Sequence, residues 1–166
     1  MVSKLYALQR EQWIPKPPEE VFPFFASTGN LESLTPDWLH FHVISESKAI
    51  ERGTKIDYKL RIHGIPVRWQ SEITVWAPPD RFIDRQTKGP YSLWIHEHTF
   101  EEQDNGTLVG DTVEYAVPGG TLVQKFLVAP DLERIFDYRH KVLAALFNPN
   151  RFSPWSDKTN RSLPAF

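Results

Sequence analysis

Residues 92–117 read SLWIHEHTFEEQDNGTLVGDTVEYAV, and this stretch decides the fold that the sequence predicts. Apolar and polar side chains alternate on both sides of Asn105-Gly106, the strongest short hairpin signal in the chain. A two-residue type I′ loop at this position would pair Phe100 with Asp111. The hairpin then has one inward face, which is apolar except for a few polar groups: Trp94, His96, His98, Phe100, Val109, Asp111, Val113, Tyr115 and Val117.

A second hairpin is predicted upstream of this one, between two further alternating segments. Gly64-Ile65 fits a type II′ turn with glycine first, and such a turn would pair Ile62 with Val67. One face of the pair is almost wholly apolar, whereas the other is polar and carries Lys59, Arg61, Arg68, Gln70 and Glu72. We therefore expect a sheet that is covered on one side and solvated on the other.

The same alternation predicts about seven antiparallel strands in all. Their approximate ranges are 5–13, 39–46, 54–63, 67–77, 81–87, 92–102 and 107–117. Two short helices are predicted after the first strand. Pro18 suits a first helical turn, and the two glutamates that follow it favour the positive end of a helix. Residues 30–34 form the second helix, which stops before Pro36.

After Gly120 the apolar period becomes that of a helix, whose main part is predicted at 131–147, beyond Pro130. One stripe of this helix is apolar and consists of Leu132, Ile135, Phe136, Val142, Leu143 and Leu146. Arg139 falls at the centre of that stripe. Because a buried guanidinium needs an anionic partner, either Asp111 or an anion on a ligand is expected beside it.

The 166 residues suit one domain, predicted to cover residues 1–147. Residues 148–166, rich in Pro, Ser and Asn, are expected to form a surface tail that Phe152 and Trp155 pin to the domain. The net charge of −2 comes from interspersed charges, which argues against nucleic acid or an anionic membrane as a partner. No apolar run approaches the roughly 20 residues of a membrane span. With no cysteine and no export signal, a cytoplasmic location is expected.

The order of one strand, two short helices, six antiparallel strands and a long C-terminal helix resembles that of the START-like helix-grip superfamily. The resemblance rests on the segments PPEEVFPFFAS, GTKIDYKL, HEHTFEE, GTLVGDTVEYAVPGG and LERIFDYRHKVLAAL. They resemble the bacterial polyketide cyclase/dehydrase-type branch of that superfamily, also called SRPBCC. The resemblance implies an α+β fold in which a curved sheet of about seven antiparallel strands wraps around the C-terminal helix and an apolar cavity. It implies no common set of catalytic residues.

Eight residues are candidates for contact with a ligand in the cavity between sheet and helix: Tyr58, Trp69, Trp94, His96, His98, Asp111, Tyr115 and Arg139. His96 and His98 lie two apart on one strand face and could share a metal ion, but a third ligand is missing. Neither a metal nor a cofactor is therefore expected. A buried hydrogen-bonded cluster and contact with a polar ligand atom both stay open for these groups, as core packing does for the aromatic residues.

Three functions fit the sequence. The first is binding of a hydrophobic small molecule, such as a lipid, isoprenoid, quinone or polyketide-like aromatic. The second is a cyclase or dehydratase in which His96, His98, Asp111 or Tyr115 carries out acid–base chemistry. The third is an interaction module that acts beside a partner enzyme, with its cavity filled by its own side chains. The signatures of serine hydrolases, zinc proteases and nucleotide-binding loops do not occur in the chain.

Overall fold

A computed structural model of the chain describes residues 4–45 and 49–147. Seven antiparallel strands form one curved sheet, in the spatial order β1-β7-β6-β5-β4-β3-β2. The strands are β1 (Tyr6–Ile14), β2 (His42–Val43), β3 (Lys55–Ile62), β4 (Ile65–Ala77), β5 (Arg81–Lys88), β6 (Leu93–Gln103) and β7 (Gly106–Ala116). The helices are α1 (Pro18–Phe25), α2 (Thr28–Leu31), α3 (Gly120–Val123) and α4 (Ala129–Phe147). The predicted α+β class and helix-grip arrangement are confirmed.

Two short helices follow β1, as the sequence predicts, but α2 begins two residues before the predicted range 30–34 and ends three residues before its end. Pro18 occupies the first turn of α1, where its missing N–H costs nothing, and both glutamates follow it there. The buried side of α1 consists of Pro18, Val21, Phe22 and Phe25. The predicted strand at 39–46 is much shorter in the structure. A 3₁₀ turn at Asp37–Leu39 and a left-handed His40, with φ of 44°, leave only His42–Val43 to pair with β3.

The turn between β6 and β7 lies one residue earlier than predicted. Its central residues are Asp104 and Asn105, with φ of 51° and 57°, so that Gly106 is already part of β7. The reason is the space around Gly106, where a Cβ would lie 2.5 Å from the carbonyl oxygen of Ile14 and 2.7 Å from the Trp13 ring. The predicted pairing of Phe100 with Asp111 is therefore wrong. Phe100 pairs with Val109, and His98 lies opposite Asp111.

Replacing Gly106 with alanine is expected to lower the free energy of unfolding by about 1 to 3 kcal/mol, since β1 has no room for the added methyl group. Urea titrations of the two proteins measure the difference. Gly29→Ala is the matched control, because its new Cβ would meet only Ser27 Oγ, at 3.7 Å. Equal stabilities of the Gly106 and Gly29 variants would contradict the packing seen at β1.

The turn between β3 and β4 is displaced in the same way. His63 and Gly64 are its central residues, and their φ angles of 50° and 80° are both positive, as in a type I′ rather than a type II′ turn. Ile62 therefore pairs with Ile65 and not with Val67. Both errors shift a register by two residues. A shift of two keeps every side chain on its predicted face, so the inward and outward sets are unchanged.

The C-terminal helical region departs from regular α-helical geometry just before Pro130. A π turn spans Gln124–Val128, between α3 and α4. In a regular α-helix the proline ring would clash with the carbonyl four residues earlier, which is that of Phe126. The wider turn accommodates it. The predicted stripe on α4 is confirmed for Leu132, Phe136 and Leu143, which are buried, whereas Leu146 is 53% exposed.

The buried side chains form two clusters. One surrounds α1 and includes Phe22, Phe25 and Phe100 together with Leu143 of α4. The other contains three aromatic residues of the sheet, Trp69, Trp94 and Tyr115, together with Leu132 and Phe136 of α4.

In the part of the chain that the structure describes, no helix is long and apolar enough to cross a bilayer. Residues 148–166, with the predicted tail and its anchors Phe152 and Trp155, lie outside the described residues.

Candidate functional site

A cavity of about 390 Å³ lies between the sheet and α4. Its size is within the usual range of sites for small molecules. Most of its lining is apolar and comes from both buried clusters, for example Phe25, Ile56, Leu60, Trp94 and Phe136. The interior is therefore not filled by the protein's own side chains, which removes the main support for a filled interaction module.

One wall of the cavity is a continuous set of aromatic rings. Tyr58 stacks on Trp69 with ring centres 5.9 Å apart, and Trp69 meets Trp94 edge to face at 5.3 Å. Tyr91 packs against Trp94 at 4.7 Å. Burial, reinforced by the charge of Asp84, raises the pKa of Tyr58, so its hydroxyl stays neutral. The wall offers flat faces and edges to which a planar apolar molecule would fit.

A cluster of charged and polar side chains interrupts this apolar lining. His96 and His98 come from β6, Asp111 from β7, Asp84 from β5 and Arg139 from α4. The strand register brings them together, since Asp84 pairs with His96 on one side and Asp111 pairs with His98 on the other. The two imidazole rings lie 3.8 Å apart, centre to centre. We call these five side chains the polar cluster.

Asp111 is the anionic centre of the polar cluster. Its Oδ1 lies 2.8 Å from His96 Nε2, 3.0 Å from His98 Nδ1 and 3.3 Å from Arg139 Nη2. Burial by itself would raise the pKa of Asp111, but the charge of Arg139 and the hydrogen bonds from both imidazoles hold that pKa well below its usual range. The predicted anionic partner of Arg139 is therefore present in the protein. Arg139 also packs its guanidinium over the Phe25 ring, at 5.1 Å.

Asp84 is the second carboxylate of the polar cluster. Its Oδ1 accepts a hydrogen bond of 3.1 Å from Ser71 Oγ, and Ser71 Oγ in turn accepts one of 3.1 Å from Trp69 Nε1. Its Oδ2 faces the imidazoles, 3.3 Å from His98 Nε2 and 3.8 Å from His96 Nδ1. Burial would raise the pKa of Asp84, yet the hydrogen bond from His98 and the charges of both histidines lower it.

The pKa values of the two histidines shift in opposite directions although the rings are neighbours. Burial and the charge of His98 lower the pKa of His96, against the pull of Asp111. Burial also opposes charge on His98, but its hydrogen bonds to Asp111 and Asp84 raise its pKa above the ordinary value. The polar cluster contains two ionised carboxylates and one guanidinium. Its net charge is therefore negative unless a further positive charge is present, such as that of a protonated His98.

Most of the residues predicted for the site meet at the cavity. The structure places six of the eight in its lining: Tyr58, Trp69, Trp94, His96, His98 and Arg139. Asp111 lies behind the two imidazoles. Tyr115 instead stacks on Tyr6, with ring centres 5.7 Å apart, and accepts a hydrogen bond from Gln124 Nε2.

Three residues of the lining that join the polar cluster or the aromatic wall were not predicted from the sequence: Ser71, Asp84 and Tyr91. A signal for Asp84 does exist in the sequence. In β5, Phe82, Asp84 and Gln86 alternate, so an inward Phe82 places an acidic side chain on the inward face two residues later. Ser71 follows in the same way from Trp69 in β4.

At one side of the cavity, the β3–β4 hairpin is joined to α4. His63 Nε2 lies 2.7 Å from Asp131 Oδ2, and both residues belong to the lining. His63 is at the tip of the hairpin and Asp131 is in the first turn of α4. Their contact links the two elements that enclose the cavity.

The fold and the site together define a class: a helix-grip domain with an apolar cavity and a buried polar cluster in its wall. The chain belongs to the family described as polyketide cyclase / dehydrase and lipid transport, whose model matches residues 14–139. The match spans both helices after β1, every strand from β2 to β7, and α4 as far as Arg139. No curated protein sequence matches the chain.

Solved structures share the fold at low sequence identity. Protein CV1439 from Chromobacterium violaceum is 16% identical, with a TM-score of 0.68 over 87% of this chain and 98% of that one. Protein TTHA0849 from Thermus thermophilus is 20% identical, with a TM-score of 0.64 over 85% and 99%. The major latex-like protein 151 of Panax ginseng is 12% identical, with a TM-score of 0.65 over 87% and 99%. These likenesses bear on the fold alone.

Proposed function

We propose that this protein binds a flat, mainly apolar small molecule in the cavity between the sheet and α4. The observation that carries the proposal is a cavity of about 390 Å³ whose apolar lining is interrupted at the polar cluster. The family description, which includes lipid transport, supports the same class of ligand. The aromatic wall favours a ring system, as in a quinone or polyketide-like aromatic, over a simple acyl chain or an isoprenoid.

The polar cluster favours a ligand with a hydroxyl or carbonyl group and no negative charge. Arg139 is already paired with Asp111, and Asp84 adds a second, mostly buried carboxylate, so no unpaired guanidinium charge is left in the cluster to attract an anionic ligand. Within the described residues, Arg139 Nε is a buried nitrogen that has no hydrogen-bond partner. A carbonyl oxygen on the ligand would satisfy such a donor.

A fluorescent titration tests the proposal. The neutral probe N-phenyl-1-naphthylamine is expected to bind one site per chain at micromolar strength, about −8 kcal/mol. 1,4-Naphthoquinone should displace the probe more effectively than dodecanoic acid, since it is planar, uncharged and carries carbonyl groups. Absence of saturable probe binding would favour the interaction module beside a partner enzyme.

A substitution that fills the cavity locates the probe. Leu60 is buried in the lining, so Leu60→Trp is expected to weaken probe binding at least about tenfold, or 1.4 kcal/mol, by occupying the space. Arg61→Trp is the matched control, because residue 61 is the next position of the same strand and is exposed. Equal affinities for the two variants would place the probe elsewhere on the protein.

Acid–base catalysis of the cyclase or dehydratase type is a second candidate, and the opposite pKa displacements of His96 and His98 favour it. In such a reaction one imidazole would take a proton from carbon and the other would protonate the departing hydroxyl. A β-hydroxy ketone that carries a naphthalene ring should then lose water when incubated with the protein, and His96→Gln should abolish the reaction.

We also propose that the protein is located in the cytoplasm, and its lack of cysteine supports this proposal.

A further inference from the structure

We propose that Asp84, His96 and His98 form a binding site for one divalent transition-metal ion at the wall of the cavity. The sequence argued against a metal because two histidines lacked a third ligand, and Asp84 supplies it. One ligand atom from each of the three residues lies within 4.8 Å of the others. The proposal goes beyond binding of an apolar molecule and does not depend on it.

The three ligand atoms converge from two strands. Asp84 Oδ2 lies 3.3 Å from His98 Nε2 and 3.8 Å from His96 Nδ1. Around an ion with bonds of about 2.0 to 2.2 Å in tetrahedral geometry, neighbouring ligand atoms lie about 3.3 Å apart. Small rotations of these side chains would therefore close the site around an ion.

The opposite atom of each ligand residue is already held by a partner. His96 Nε2 and His98 Nδ1 both face Asp111 Oδ1, at 2.8 and 3.0 Å. Asp84 Oδ1 accepts the hydrogen bond from Ser71. Ligands of protein metal sites have such outer partners, which fix the imidazole tautomer and the orientation of the carboxylate. Here the outer partners leave Nδ1 of His96, Nε2 of His98 and Oδ2 of Asp84 turned toward one point.

Charge and chemistry agree with a cation at this point. Asp111 is buried and Asp84 mostly buried, and among the described residues the permanently charged side chain of this cluster is Arg139, which pairs with Asp111. Two imidazoles and one carboxylate suit Zn²⁺ and similar first-row ions rather than Mg²⁺ or Ca²⁺, which prefer oxygen ligands. The three ligands line the cavity, so the ion would keep an open position toward it for water or a ligand oxygen.

Calorimetric titration of EDTA-stripped protein with ZnCl₂ tests the site. One ion per chain is expected, and Asp84→Asn should weaken binding at least about 100-fold. Asp111→Asn should weaken it about 10- to 100-fold, as loss of an outer partner does. Glu97→Gln is the matched control, since Glu97 lies between the two histidines and binds Arg81 at 3.1 Å outside the site. The affinity of the Glu97→Gln variant for Zn²⁺ should equal that of the wild type.

Two results would overturn the metal site. One is absence of stoichiometric Zn²⁺ binding, and the other is binding that survives Asp84→Asn but is lost in His63→Gln, where a second His–Asp pair lies. If Asp84→Asn fails to fold, the visible d–d absorption of the wild-type Co²⁺ complex decides. Intense bands indicate a site of low coordination number, as expected for three protein ligands, and the weak bands of hydrated Co²⁺ contradict the proposal. Probe binding measured in EDTA reports on the apolar cavity separately.

Discussion

Replacing Arg139 with methionine is expected to lower the free energy of unfolding by about 3 to 5 kcal/mol, the usual cost of removing one partner of a buried ion pair. Methionine keeps much of the apolar stem of arginine but leaves Asp111 without its guanidinium. The side chains of both residues are only about one-tenth exposed, so water cannot replace the lost charge. Urea unfolding of both proteins in EDTA measures the difference, since bound metal would add stability of its own.

Arg134→Met is the matched control for this experiment. Arg134 is an exposed arginine of the same helix that lies over the Trp38 ring, and its loss should cost less than about 1 kcal/mol. The Arg139→Met/Asp111→Asn double variant should lose less stability than the two single variants together, because the two residues are in contact. Unchanged stability of Arg139→Met, together with weaker binding of acidic probes, would instead identify a ligand anion as the main partner of Arg139.

Replacing Phe82 with alanine is expected to cost a similar amount, about 3 to 5 kcal/mol, as for other buried phenylalanines. The Phe82 ring is 6% exposed and stacks on His98 with ring centres 4.2 Å apart. It also meets Phe22 edge to face at 5.8 Å. The substitution would open a hole between α1 and the polar cluster. Because the Phe82 ring supports the orientation of His98, the His98 imidazole should be held less firmly in the variant.

Thermal and urea unfolding measure the loss at Phe82, and Phe126→Ala is its control. Phe126 is 65% exposed in the π turn, so its removal should change stability by no more than about 0.5 kcal/mol. The Phe82 variant should also bind Zn²⁺ more weakly, since His98 becomes free to turn. Equal stabilities of the two variants would show that Phe82 does not support the polar cluster.

The faces of the strands could be read from the sequence, but the registers could not. Alternation with period two shows which side chains share a face, and a slip of two residues leaves that pattern intact. Only the turns distinguish such registers, and local propensity placed both turns one residue too late. What decides the β6–β7 turn is contact of Gly106 with Trp13 and Ile14, about ninety residues away in the sequence. A local pattern contains no information on that contact.

The candidate site could likewise be predicted only in part, because the sequence shows which side chains face inward but not which of them meet. A charged residue at the centre of an apolar helical stripe predicted a buried pair for Arg139, and the structure supplies Asp111. His96 and His98 were predicted to face inward and are 7% and 4% exposed. Asp84 was missed because the only apolar residues of β5 are the adjacent Phe82 and Ile83, so alternation gives only a weak signal for its inward face. The three ligands come together only when β5 pairs with β6.

Among the described residues, the order of the strands leaves β1 and β2 at the two edges of the sheet. Unpaired strand edges are templates on which protein chains polymerise into aggregates. β2 offers only two residues, which is too short a template for stable pairing. β1 is nine residues long, but Arg10 and Glu11 stand at its middle, and an incoming strand would have to match or bury their charges. Brevity at one edge and charge at the other thus guard this sheet against edge-to-edge association between molecules.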